Sequence, residues 1–150
     1  MFDFNREIPI GCDHAGFLLK AYLMQELTSK GYRFKDFGTF SEESVDYPDF
    51  VHPVAKGIND GEFLRGIIIC GSGNGVSIVA NKYLNVRSAV CWTYEIARFA
   101  RMHNDANIIA LPARFISPEE ALILVKVFFT TDFEGGRHER RVDKISAILK

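Results

Sequence analysis

Leu64-Arg-Gly-Ile-Ile-Ile-Cys-Gly-Ser-Gly-Asn-Gly-Val76 is the stretch from which the fold can be read. Residues 64–70 form an apolar run without alternation, the pattern of a central parallel strand covered on both faces. Three glycines in the next five positions make a turn, and a helix is expected over about 76–82. Strand, turn and helix in that order form one unit of an α/β fold.

The same unit recurs on both sides. Upstream, 7–12 reads as a strand, Asp13 as the N-cap of a helix over about 15–30, and Gly31 as its end. Phe17, Leu18, Ala21, Tyr22, Met24 and Leu27 are assigned to that helix's inner face. A strand over 32–37 leads through a polar loop that includes Tyr47-Pro48 to a helix over about 49–59. Downstream come a strand at 86–91, a helix at about 94–102 and a strand at 108–111. Ser117-Pro-Glu-Glu120 then opens a helix to about residue 129, with Ser as cap, Pro in the first position and two acids in the first turn. Gly135-Gly136 forms a hinge before an arginine-rich amphipathic helix running to the C-terminus. The expected fold is α/β: a doubly wound, Rossmann-like, five-stranded parallel sheet with a C-terminal helical arm. Residues 1–150 are read as one domain, with about 134–150 as an arm packing on a partner subunit.

Composition narrows the function. The chain has 150 residues, 47% hydrophobic and 25% charged, as in soluble globular proteins. Eighteen basic residues against nineteen acidic ones leave a net charge of −1, so no basic field exists to hold nucleic acid. The uncharged stretch at 66–80 is broken by the glycine turn and too short for a membrane span. The N-terminus has no basic region followed by an apolar one, so no secretory signal is read. Cys12, Cys70 and Cys91 do not make a disulfide framework, and a cytoplasmic location is expected.

Parallel α/β sheets bind ligands at the carboxyl ends of their strands, beside the point where strand order reverses. Three polar clusters are assigned there: Asp13-His14, the turn from Gly71 to Gly75, and His103-Asn104-Asp105 in a loop before the fifth strand. The glycine turn suits an anion or a developing oxyanion; the simpler reading is a tight turn that needs positive φ. It is neither a dinucleotide fingerprint, since Val76 stands where the last glycine belongs, nor a P-loop. Cys70 beside the expected helix start is a candidate reactive thiol, whereas Cys12 and Cys91 read as core residues. Asp13 is a cap or a ligand, and His14 suits a helix start only next to an anion such as phosphate. Arg137 and Arg141, one turn apart, offer two forked donors to a phosphate or belong to a solvated charged face. His52 reads as structural or surface.

Five stretches, Gly11-Cys-Asp-His-Ala-Gly16, Asp46-Tyr47-Pro48, Ile69-Cys-Gly-Ser-Gly-Asn-Gly75, Arg101-Met-His-Asn-Asp-Ala-Asn107 and Glu134-Gly-Gly-Arg-His-Glu-Arg-Arg141, occur in order over nearly the whole chain. Together they resemble the ribose-5-phosphate/galactose-6-phosphate isomerase family. The cysteine directly before the glycine loop and the Gly-Gly-Arg-His near the end resemble its type B ribose-5-phosphate branch. The resemblance implies an aldose–ketose isomerase of the pentose phosphate pathway, acting on a phosphorylated pentose without metal or cofactor. It implies Cys70 as the base between C2 and C1, and backbone amides of Gly71, Gly73, Asn74 and Gly75 as holders of the enediolate oxygens. Ser72 would assist proton movement between those oxygens. His103 would be the ring-opening acid, and Asp13 would bind sugar hydroxyls. His14, Arg137 and Arg141 would take the phosphate, Arg114 and Asn104 would complete the pocket, and Tyr47 would form its wall.

Some members of the family use a glutamate shortly after Gly71 as the base. Positions 74–78 are Asn-Gly-Val-Ser-Ile, so here the role falls to Cys70. The family also implies a homodimer or a dimer of dimers with shared sites. Three other readings stand beside it: an isomerase of galactose or allose 6-phosphate, a non-catalytic nucleotide-binding domain, and a cysteine hydrolase using Cys70 and His103.

Overall fold

A computed structural model describes residues 2–147. Its five strands, β1 (Glu7–Cys12), β2 (Arg33–Asp36), β3 (Gly66–Cys70), β4 (Ser88–Val90) and β5 (Ile108–Pro112), form one parallel sheet in the order β2-β1-β3-β5-β4. The helices are α1 (Phe17–Thr28), α2 (Tyr47–Asn59), α3 (Asn74–Ala80), α4 (Tyr94–Asn104), α5 (Pro118–Thr130) and α6 (Arg137–Val142). None of the described helices is long and apolar enough to cross a membrane.

Alternation along β3 divides the core into two layers. Ile67 and Ile69 pack with α1, α4 and α5, while Ile68 and Cys70 pack with α2 and α3. The register sets Cys12 opposite Ile69 and Cys70 opposite Pro112, so β1, β3 and β5 end nearly level. Two glycines allow close approach beside that edge. A Cβ at Gly11 would lie 2.3 Å from the Phe50 carbonyl oxygen, and one at Gly16 would lie 2.8 Å from Ile69 Cγ2.

Several expected boundaries move. Tyr47 and Pro48 are the first residues of α2 rather than loop, because proline suits a first helical turn whose N–H would be unpaired anyway. Asn74 and Gly75 likewise open α3 instead of closing the turn. Asp13 does cap, its Oδ1 accepting from Ala15 and Gly16 N–H, but the cap leads into a 3₁₀ turn at His14–Gly16 before α1 begins. The inner face of α1 is Leu19, Leu23 and Leu27, with Leu18 and Ala21 exposed. Lys20 is buried beside these leucines because its Nζ donates to Asp36 Oδ1 at 2.6 Å and to the Thr39 carbonyl at 2.7 Å. The C-terminal helix is shorter than expected. α6 ends at Val142, turns follow, and the rest of the expected helix at 148–150 lies outside the described residues.

Candidate active site

At the carboxyl edge, β3 ends in Cys70 and the chain turns through Gly71, Ser72 and Gly73 into α3. Gly73 has φ +75°, the left-handed region that favours glycine, and a Cβ there would lie 3.0 Å from Val90 Cγ1. The turn brings Gly73 N–H to 3.1 Å from Cys70 Sγ, so the sulfur accepts a backbone hydrogen bond at the start of a helix. That donor fixes the sulfur beside the first turn of α3. The other two thiols are fully buried, and burial pushes Cys12 up to about 11 and Cys91 up to about 12.

The structure places several of the expected residues beside this turn. Tyr47 lies against Gly75, where a Cβ would come within 2.7 Å of the ring. Arg114 covers Gly71, where a Cβ would lie 3.2 Å from its Cδ and Nη1, and Arg114 N–H donates to the Gly71 carbonyl at 3.0 Å. Asp13 is buried, and its N–H donates to the Ile69 carbonyl at 3.2 Å. Val45 N–H donates to His14 Nδ1 at 3.2 Å, which leaves His14 Nε2 as the proton-bearing nitrogen. Ser72 is exposed, with its Oγ accepting from Asn74 N–H. Asp13, His14, Tyr47, Cys70, the turn and Arg114 therefore gather at one edge of the sheet.

His103 and Asn104 do not join them. They form the last turn of α4, not a loop, and α4 ends at the amino end of β5. Asp105 closes it in the left-handed conformation, pairing with Arg101 at 2.8 Å and with Arg87, just before β4, at 2.9 Å. A residue preceding a parallel strand lies at that strand's amino end, so this cluster lies at the edge opposite the expected one. The five residues of β3 separate the two edges by roughly 16 Å at about 3.3 Å per residue.

At this second edge the arm seats itself on α4. Glu134 N–H donates to the Met102 carbonyl at 3.0 Å. His103 lies between two rings: Phe99, stacked at 4.8 Å and 16°, and His138, stacked at 4.2 Å and 7°. Glu134 Oε2 is 3.7 Å from His103 Nε2. Arg137 and Arg141 are exposed on α6. Donor atoms of His103, Glu134 and His138 come within 4.8 Å of one another, the type of cluster that can hold a metal ion. His52, exposed, meets Tyr83 Oη at 2.8 Å, a structural role as expected.

The sequence reading missed Lys20, Arg65 and Arg101. Arg65, just before β3, donates to the Phe128 and Phe129 carbonyls near the end of α5, and Arg101 of α4 donates to those of Ala106 and Thr131. Their partners lie up to 64 positions away, and no local pattern marks them.

The family model for Ribose/Galactose Isomerase matches residues 8–145. Ribose-5-phosphate isomerase B of Escherichia coli is 41% identical over 143 residues, covering 95% of this chain and 96% of that protein. The Clostridium thermocellum ribose-5-phosphate isomerase B structure aligns with TM-score 0.93 and 48% identity over 96% of this chain and 97% of that one. The Mycoplasma genitalium ribose-5-phosphate isomerase B, solved with bound ribulose-5-phosphate, aligns with TM-score 0.90 and 37% identity over 95% of both chains.

Proposed function

Because the chain belongs to the ribose/galactose isomerase family, we propose that it interconverts D-ribose 5-phosphate and D-ribulose 5-phosphate, with Cys70 as the base. The observation that carries the base assignment is the Gly73 N–H at 3.1 Å from Cys70 Sγ, at a strand–helix junction. A proton beside a carbonyl is weakly acidic, so its removal needs a positioned base and donors for the oxyanion that develops. First-turn N–H groups of α3 have no carbonyl one turn back within the helix and can serve as those donors.

In the proposed sequence, His103 gives a proton to the ring oxygen as its bond to C1 breaks, and water takes the proton of the C1 hydroxyl as the aldehyde forms. The Cys70 thiolate then takes the C2 proton. The resulting enediolate is held by amides of the Gly71–Gly75 turn, and Ser72 moves a proton between its two oxygens. The Cys70 thiol returns its proton to C1, giving the ketose. Asp13 holds sugar hydroxyls. His14, Arg137 and Arg141 bind the phosphate, while Tyr47, Arg114 and Asn104 shape the pocket.

His103, Asn104, Arg137 and Arg141 lie at the opposite edge of the sheet from Cys70 within one chain. We infer that two copies assemble so that each edge of one completes the site of the other, as a dimer or a dimer of dimers. The arm, seated on its own α4, would present its arginines to that second copy. The exposed Trp92 and Phe115, in a groove of about 400 Å³ beside Ser72 and Asn74, supply apolar surface for it.

The test is NMR in heavy water on ribose 5-phosphate, without added metal or nucleotide. Ribulose 5-phosphate carrying deuterium at C1 is expected from the native enzyme, with turnover lost in Cys70→Ala and phosphosugar binding kept. Unchanged turnover in that variant would remove Cys70 as the base. Turnover only on six-carbon phosphates would replace the substrate.

A further inference from the structure

His138 is 5% exposed, although it sits on a six-residue surface helix whose charged residues all face solvent. Gly135 and Gly136, at φ +69° and +57°, turn the chain so that this one side chain folds back onto α4. There its imidazole lies flat on His103, with Phe99 on the other face. A ring held between two parallel rings keeps its plane fixed, and with it the direction of its N–H groups. We propose that His138 is a positioning residue for His103, holding the ring-opening acid in one orientation through this three-ring stack. The inference rests on the reading of His103 as that acid.

The polar surroundings divide the two imidazoles by role. Arg137 Nε donates to His138 Nε2 at 3.4 Å, so that nitrogen carries a lone pair and His138 is the neutral ring. Burial, His103 and Arg137 push the His138 imidazolium below its ordinary range; Arg141 acts in the same sense and Glu134 opposes it. On the His103 side of the stack, Glu134 Oε2 is 3.7 Å from His103 Nε2. One short arm thus fixes the acid and carries the phosphate-binding arginines.

The experiment compares two reactions in His138→Ala and His138→Phe. Ribose 5-phosphate must open its ring to react. Ribulose 5-phosphate is already open, and its C1 deuterium exchange needs only the base and the oxyanion donors. His138→Ala is expected to lower ribose 5-phosphate kcat by about 10- to 100-fold, the loss that follows small misplacements of a reacting group, with C1 exchange changed less than about threefold. His138→Phe, which keeps a flat ring, should recover most of the kcat. Equal loss in both reactions, no loss in either, or no recovery in a folded Phe variant would overturn the proposal. Absence of ribose 5-phosphate turnover in the native enzyme would instead overturn the function on which it rests.

Discussion

Cys70 differs from the other two cysteines by its place at the end of β3, where the chain turns into α3. Cys12 and Cys91 are sealed from solvent, with thiols held up to about 11 and about 12, chiefly by burial. A thiolate-selective alkylating reagent at pH 8 should therefore add once to the folded protein, at Cys70, and mass spectrometry of the intact chain and its peptides would read the number and position. The same two thiols set the alkaline limit of stability. The unfolded chain releases their protons near 9.0, before the native state does. Their contribution is thus intact below about 9 and is lost between 9 and about 11 for Cys12, and between 9 and about 12 for Cys91. Urea midpoints should fall over that range, and less steeply in Cys91→Ala. That Cys70 stands apart can be read from its glycines alone. Lys20 cannot be read so, because Asp36 and Thr39, 16 and 19 positions on, supply the partners that let it be buried.

At the scale of elements, close backbone approach matters most where α2 meets β1. The gap between Gly11 and the Phe50 carbonyl has no room for a methyl group, and the obstacle is main chain rather than a side chain that can swing away. Gly11→Ala should cost about 1–3 kcal/mol of stability, the range for overpacking, and should shift Tyr47 at the start of the same helix. Thermal unfolding against Gly31→Ala, whose Cβ would meet nothing, separates crowding from backbone conformation. Continuous apolar runs such as Ile67-Ile68-Ile69 announce strands directly, and Ser117 forms the expected cap, here a full capping box with Glu120. Helix ends are harder to read when their residues have the composition of loops. Tyr47-Pro48 and Asn74-Gly75 look like turns yet open helices. His103-Asn104 looks like a loop, but α4 continues because Asp105 adopts φ +45° and is pinned by Arg87 and Arg101.

At the scale of the whole molecule, two inactive chains should help each other. If Cys70 of one copy works with His103 of another, mixing Cys70→Ala and His103→Ala should restore about a quarter of native activity, because half of the random dimers carry one intact site of two. Subunit exchange followed by a turnover assay checks this; no recovery would place both residues in one chain's site. The residue types of the site stand out along the sequence, but the division between edges appears only once the strands are laid side by side. The sheet order has one further consequence, for synthesis. β5 is the last strand made, yet it lies between β3 and β4. A chain leaving the ribosome can close β2-β1-β3 early, while β4 waits as an orphan until residue 112 has emerged. Until then β3 keeps one edge unpaired and β4 both of its own, open to the counterparts on neighbouring chains, and the final strand is the wedge that joins them.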